Sequence, residues 1–487
     1  MPPRRAFLGI DCGTQSTKAL LVDASSEDVL GLGRAAHELV ERPDGTREQH
    51  PDWWVAALQA AVREAGSQAD SLEVAGIGVS GQQHGLVCLD DHDKPVRPAK
   101  LWNDTTTAPE CDVLTDQVGG VEAALSLTGN TFLPGYTAPK VLWLRTRQPH
   151  AYAAARRLCL PHDYLNLWLT GTYATEPGDA SGTAYFDVRR RQYSAPVLAA
   201  MDPDRDWEAA LPPPVGSLEV IGRLRPEAAE ALGLPAGIPV SAGGGDNMMA
   251  AIGVGAVSEG PVVLSLGTSG TAFAYSTQPA VDPRGEAAAF CDSTGGWLPL
   301  VCTLNCTVAT EWVRELFGLD HAGVEAALAA SPPGARGLTF LPHLEGERTP
   351  NTPHGAGVFA GLRAEHGAVD IIRAVVEGVT FGLKYAFDAL ERTGVHASGL
   401  TLVGGGAASD GWAQLCADVF QLPVSRPPQI EAAALGGARQ VRWAVDDVPV
   451  DATASTGRRF EPTPPGALQA GLDRASRLRE VALSNGL

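Results

Sequence analysis

Two separate stretches of the chain share one local pattern: an apolar strand, a turn containing Gly-Thr, and a second apolar strand. The first strand covers residues 6–11, the turn residues 12–16, and the return residues 18–23. The second strand covers residues 262–266, turns through Gly267-Thr268-Ser269-Gly270, and returns over residues 271–275. Glycine lets the backbone turn without a side-chain clash, and successive N–H groups with small hydroxyls make a cradle for an anion. A chain of 487 residues is too long for one ordinary core. The repeated opening therefore predicts two α/β domains, residues 1–253 and 254–487, with both turns facing a central cleft.

The remaining chain fits that plan. Residues 29–40 read as a third strand, Pro51-Asp52 starts a helix reaching about residue 65, and residues 74–80 and 85–89 are apolar strands. Residues 138–147 and 161–169 have helical periodicity, and residues 202–214, rich in proline and charge, read as surface loop. In the second half, residues 297–304 read as a strand and 308–317 as a helix. A long amphipathic helix over 370–390 precedes a strand over 400–403 that enters Gly404-Gly405-Gly406. Asp410 is placed to cap the helix over 411–420, and a last helix follows residue 465. Gly31-Leu-Gly33-Arg-Ala-Ala36 has the form of a dinucleotide fingerprint, but Arg42-Pro43-Asp44-Gly45 follows too soon for a packed helix and crossover. No Gly-x-x-x-x-Gly-Lys-Ser/Thr stretch is present, which excludes a P-loop kinase.

Two carboxylates stand at strand ends. A strand over 238–242 runs into Gly243-Gly244-Gly245, then Asp246 and Asn247 at the mouth of a short helix. The helix dipole there favours an ionised carboxylate at neutral pH, able to accept a proton. Asp11 precedes Gly13-Thr14, where a carboxylate can hold Mg²⁺ and the turn can face phosphates. Taken singly, Asp246 also reads as a helix cap and each turn as a plain hairpin. Gly81-Gln82-Gln83-His84-Gly85 and Leu101-Trp102-Asn103-Asp104 add the polar groups and aromatic face that a sugar needs. The formal net charge of −19 argues against a nucleic-acid or anionic-membrane partner. Eight scattered cysteines with no Cys-x-x-Cys pair suggest buried thiols in a reducing, cytoplasmic compartment. Asp11 cuts short the apolar run near the N-terminus, giving a poor signal peptide, and no apolar run reaches spanning length.

Together these motifs resemble the FGGY family of carbohydrate kinases, its xylulokinase branch in particular. The likeness rests on the ordered set Gly9 to Thr14, Gly81 to Gly85, Leu101 to Asp104, Gly243 to Asn247, Leu264 to Gly270, Gly346 to Pro350 and Gly404 to Ala407. Thr137-Ala-Pro-Lys-Val-Leu-Trp143 and Leu160-Pro-His-Asp-Tyr164 are similar to segments of that branch. The resemblance implies the actin-like ATPase fold, two ribonuclease-H-like domains with ATP and sugar between them. It implies transfer of the γ-phosphate of ATP to the terminal hydroxyl of D-xylulose, giving D-xylulose 5-phosphate for the pentose phosphate pathway. Asp246 would be the general base, and Asp11 would position Mg²⁺ and the phosphates. Thr14, Gly267 and Thr268 would meet the phosphates, with Gly404, Gly405, Gly406 and Asp410 at the adenosine. Gln83, His84, Asp104 and Asn247 would lie along the sugar. A homodimer is left open. Other readings are an FGGY kinase for ribulose, another ketose or glycerol, or a non-catalytic sugar or ATP binder on the same fold. Two departures bear on the sugar: Gln83 stands where the family usually has Met, and Thr106 where it usually has Arg. Thr106 is expected to leave the sugar site roomier and its selectivity modest.

Overall fold

A computed structural model describes residues 3–485 apart from 70, 345, 429–430, 453–456 and 465. Two mixed sheets carry the architecture. In the first, the strands run in the order Val220–Arg223, Pro239–Ser241, Leu72–Gly81, Arg4–Cys12, Ser16–Asp23 and Val29–Ala36, with the short Gly244–Gly245 also on Leu72–Gly81. In the second, the order is Leu300–Thr303, Gly270–Ala274, Pro261–Leu266, Gly399–Val403, Val424–Arg426 and Arg458–Phe460. Each opens with three antiparallel strands, and the first of these pairs on its other side with a parallel strand. A further parallel strand and an antiparallel edge complete both. The two sheets thus match strand for strand, the duplicated ribonuclease-H-like plan of actin-like ATPases.

Glycines set how closely helices approach the first sheet. Helix Pro51–Gly66 starts with proline at its first position and buries Trp54, Leu58, Ala61 and Ala65. It packs on Val29–Ala36, where a Cβ on Gly31 or Gly33 would come within 2.2 Å of Ala65 O or 1.9 Å of Ala61 O. The glycines at 31 and 33 therefore serve helix-on-sheet packing. The other face is covered by helix Ala432–Asp446, which comes from the second half of the chain and buries Ala434, Leu435, Ala438 and Val441 against Phe7, Leu20 and Val22. A Cβ on Gly9 would meet Ala434 O at 1.8 Å, and one on Gly78 would meet Gly437 O at 2.0 Å. One helix from beyond residue 254 therefore completes the core of the first sheet. On the second sheet the long helix Ala368–Glu391 takes the place that helix Pro51–Gly66 has on the first, burying Val375, Val379, Leu383 and Phe387.

Local expectations shift in three places. The strand Val87–Leu89 pairs with Arg157–Cys159, outside the main sheet. Residues 202–214 include a helical turn, Trp207–Ala210, whose N-cap Asp206 accepts from Ala209 N. Asp410 does not cap its helix: it is the first helical residue, and Ser409 Oγ accepts from Trp412 N at 3.0 Å.

Candidate active site

The strand register brings Asp11 and Asp246 together. Asp11 faces Ser80 on the neighbouring parallel strand, while Gly244 and Gly245 pair with Ser80 and Gly81 from the other side. Ser80 Oγ donates to Asp11 Oδ1 at 3.0 Å. Lys18, opposite Asp11 in the hairpin, lies 3.8 Å from Asp11 Oδ2 and 2.6 Å from Glu431 Oε2. Burial pushes the Asp11 carboxyl up, and Lys18 and Ser80 oppose the shift. Asp246 opens helix Asp246–Gly253, and its Oδ1 accepts from Asn247 N at 2.9 Å and Asn247 Nδ2 at 3.0 Å. The sequence reading of an ionised Asp246 needs correction: loss of solvent around it, then the charges of Asp11 and Asp179, push its carboxyl up to about 7. The dipole of a two-turn helix is outweighed by desolvation and like charge.

The sugar-side residues gather beside Asp246. Asn247 Nδ2 also donates to Gln83 Oε1 at 2.9 Å, leaving Gln83 Nε2 buried without a partner. His84 adopts a left-handed backbone with φ 65°, and its ring lies between Tyr136 and Phe290. Lys140 Nζ and Thr137 Oγ1 both donate to the His84 carbonyl, at 2.6 and 3.1 Å. Burial, with the charges of Lys140 and Arg348, holds the imidazole neutral against a backbone hydrogen bond at Gly182. Trp102 Nε1 donates to Thr14 Oγ1 at 2.9 Å, which joins the sugar loop to the first Gly-Thr turn. Asn103 Oδ1 is likewise buried and unpartnered. An orphaned donor such as Gln83 Nε2, tied through Asn247 to Asp246, is what a polyhydroxyl ligand would satisfy.

Asp104 does not join them. Its Oδ2 accepts from Lys100 Nζ at 2.8 Å and Arg47 N at 2.9 Å, and its Oδ1 from Thr106 N and Oγ1 at 3.0 and 2.6 Å. These bonds, led by Lys100, hold its carboxyl below the usual range against burial. Asp104 therefore braces the loop. Thr106 is spent on the same carboxylate and lines a separate cavity of about 410 Å³ with Arg42, Glu48, Arg97 and Lys100, so it does not widen the sugar site.

On the second half, Leu266 pairs with Gly270, which leaves Gly267, Thr268 and Ser269 as the turn. The carbonyls of Gly267 and Thr268 accept from Thr307 N and Cys306 N, fastening the turn to helix Thr307–Leu316 and leaving the Thr268 side chain exposed. Gly404 lies against that turn: its φ is 87°, and a Cβ there would sit 2.8 Å from Leu266 O. Gly406 is equally crowded by Trp412 and Leu266, whereas nothing lies within 4 Å of a Cβ on Gly405. Of the three, Gly405 has the open face a nucleotide could lie on. Both oxygens of Asp410 are taken by Arg426 and Arg458, and Arg426 also holds the Ala407 and Ala408 carbonyls. Asp410 thus anchors the glycine turn indirectly.

Three neighbours were missed in the sequence. Arg348, Lys140 and Phe290 close the His84 side, and two of them come from the second half of the chain. Arg348 and Lys140 do lie inside the segments 346–350 and 137–143, but nothing local marks them as site residues.

Comparison with known proteins fits this geometry. Models of the FGGY family of carbohydrate kinases match twice, the N-terminal domain over residues 6–253 and the C-terminal domain over 262–445. The chain belongs to the FGGY family of carbohydrate kinases. Within that family it is similar to the xylulose kinase of Haemophilus influenzae, 43% identical over 445 residues, 90% of each chain. It is 38% identical to the xylulose kinase of Escherichia coli, over 85% of this chain and 84% of that one. Among solved structures it is similar to a xyloylose kinase from Brucella ovis, with TM-score 0.91, 33% identity and 98% and 99% of the two chains covered. Its likeness to a Plasmodium falciparum glycerol kinase, TM-score 0.88 at 18% identity over 100% and 99% of the chains, is one of fold. The chain is an ATP-dependent sugar kinase.

Proposed function

We propose that this kinase phosphorylates D-xylulose at its terminal hydroxyl, giving D-xylulose 5-phosphate and ADP. The observation that carries the reading is Asp246: a carboxyl pushed up to about 7, linked through Asn247 Nδ2 to Gln83, whose own Nε2 is buried without a partner. A base works best when its pKa lies near the working pH. Asp246 takes the hydroxyl proton as the hydroxyl oxygen bonds to the γ-phosphorus. The bond from that phosphorus to the bridging oxygen breaks, and ADP leaves with the electron pair. The Gly13-Thr14 and Gly267-Thr268 turns hold the phosphates, and Gly405 offers its open backbone to the adenosine. Closing the two halves excludes water that would otherwise hydrolyse ATP. The identities of 32–43% to xylulose kinases support D-xylulose over other acceptors.

Asp11 suits Mg²⁺. It is a buried carboxylate with one hydroxyl donor on Oδ1 and Lys18 no closer than 3.8 Å to Oδ2. Among the described residues no cluster of three His, Cys, Asp or Glu could hold a metal alone. One carboxylate is the usual protein share when Mg²⁺ keeps waters and phosphate oxygens. Bound there, the ion would neutralise charge on the phosphates.

All eight cysteines are buried and unpaired, and no helix among the described residues is long and apolar enough to cross a membrane. A reducing cytoplasm fits those thiols. A homodimer belongs to the same reading: Val308, Trp312 and Leu316 form an exposed apolar stripe on one helix face, and sedimentation velocity checks it. The deciding assay is ATP consumption across a panel of pentuloses, hexuloses and polyols, with the product located by phosphorus NMR. D-xylulose should give the highest kcat/KM; a higher value for glycerol or a hexulose would overturn the substrate.

A further inference from the structure

Helix Ala432–Asp446 reaches from the second half of the chain to both catalytic carboxylates. At its start, Glu431 Oε2 holds Lys18 Nζ, the cation beside Asp11. Near its start it crosses helix Asp246–Gly253 with backbone close to backbone at two points. A Cβ on Gly436 would sit 1.8 Å from Met249 O, and one on Gly253 would sit 1.8 Å from Ala432 O. Arg439 Nη1 donates to Gly253 O at 2.8 Å, and Arg439 and Arg442 both pair with Glu27.

Gln440 makes the decisive contacts. It is fully buried, and its amide is spent on the loop that precedes Asp246. Gln440 Oε1 accepts from Ser241 Oγ at 2.8 Å and Gly243 N at 3.0 Å. Its Nε2 donates to Gly243 O at 2.9 Å, Ser217 O at 3.0 Å and Ser293 O at 3.2 Å. Gly243 has φ 74°, and a Cβ there would meet Val79 O at 2.4 Å, so this peptide is fixed from both sides. Only Gly244 and Gly245 separate it from Asp246. Ser293 belongs to the second half, so one amide ties both halves to the base-bearing loop.

We infer that Gln440 is a positioning residue for phosphoryl transfer, setting where Asp246 stands relative to the attacking hydroxyl. The inference rests on the reading of Asp246 as the proton acceptor. Gln440 bonds Ser217, Ser241, Gly243 and Ser293 and none of the residues placed along the sugar, so its loss should weigh on kcat more than on KM. A displacement of about 1 Å at a reacting group can cost about 10²-fold in rate.

The test is steady-state kinetics of Gln440→Met, close in size but without the amide, beside Asp246→Asn and wild type, with ATP and D-xylulose varied. The expected result is a loss in kcat of about 10- to 100-fold with both KM values within about threefold of wild type. A kcat within threefold of wild type, or a rise in KM at unchanged kcat, overturns the inference. If Gln440→Met does not fold, Ser241→Ala decides. It removes one of the five bonds and should lower kcat several-fold at constant KM, and no loss overturns the inference. An inactive Asp246→Asn beside a fully active Gln440→Met refutes the role of Gln440 alone. An active Asp246→Asn refutes the proton-acceptor reading and takes the inference with it.

Discussion

Replacing Asp246 by Asn should make the protein more stable and nearly inactive. The carboxyl is pushed from 3.8 to about 7, chiefly by burial and then by Asp11 and Asp179. A rise of about three units, at about 1.4 kcal/mol each, amounts to about 4 kcal/mol against the ionised form. An acid with a raised folded-state pKa holds its proton more tightly when folded, so its ionisation destabilises the fold. That cost is absent below pH 3.8, grows through the window from 3.8 to about 7, and is complete above it. Asparagine keeps the Oδ1 that accepts from Asn247 and carries no charge at any pH. Equilibrium denaturation at pH 8 should show the variant more stable by up to about 4 kcal/mol. At pH 5 little more than one of the three units has accrued, and the margin should fall to under half. Turnover should drop about 10²- to 10⁴-fold, with ATP binding unchanged by calorimetry. A variant no more stable than wild type at pH 8, or a margin equal at the two pH values, would refute the reasoning.

Gln83→Met removes the unpartnered Nε2 donor and the acceptor for Asn247. It should lower kcat/KM for D-xylulose and narrow its preference over D-ribulose by about 10-fold or more; specificity constants for both ketoses check this. The glycine turn should respond position by position. Gly405→Val, with open space around its Cβ, should raise KM for ATP with Tm nearly unchanged. Gly404→Ala, at φ 87° and 2.8 Å from Leu266 O, should lower Tm by several degrees, as thermal melts will show.

Much of the fold was legible because its signals are local. The two Gly-Thr hairpins, the strand over 74–80 and the helix from Pro51 are written in apolar period and turn chemistry, and all four stand in the structure. Helix Ala432–Asp446 was not legible. Its Gly436-Gly437 pair reads as a helix breaker, yet those glycines are where Met249 O and the Gly78 backbone come within reach. The ionisation of Asp246 was misread for a similar reason. The helix dipole is visible in sequence, whereas Asp11 and Asp179 approach only through sheet register and folding. Asp104 and Thr106 looked like sugar-site residues by position. Their bonds to Lys100, to Arg47 N and to each other depend on how the loop folds back. At Ser409-Asp410 two equally good capping residues are adjacent, and sequence could not choose between them.

The pH dependence of kcat/KM for D-xylulose tests the central claim most directly. If Asp246 accepts the proton, kcat/KM is full when its carboxylate is free and falls tenfold per pH unit on the acid side. The bend should lie near pH 7, where burial and its acidic neighbours place the group in the free enzyme. The residual activity of Asp246→Asn should lack that bend. A wild-type kcat/KM that stays level from pH 8 down to pH 5 would contradict the account.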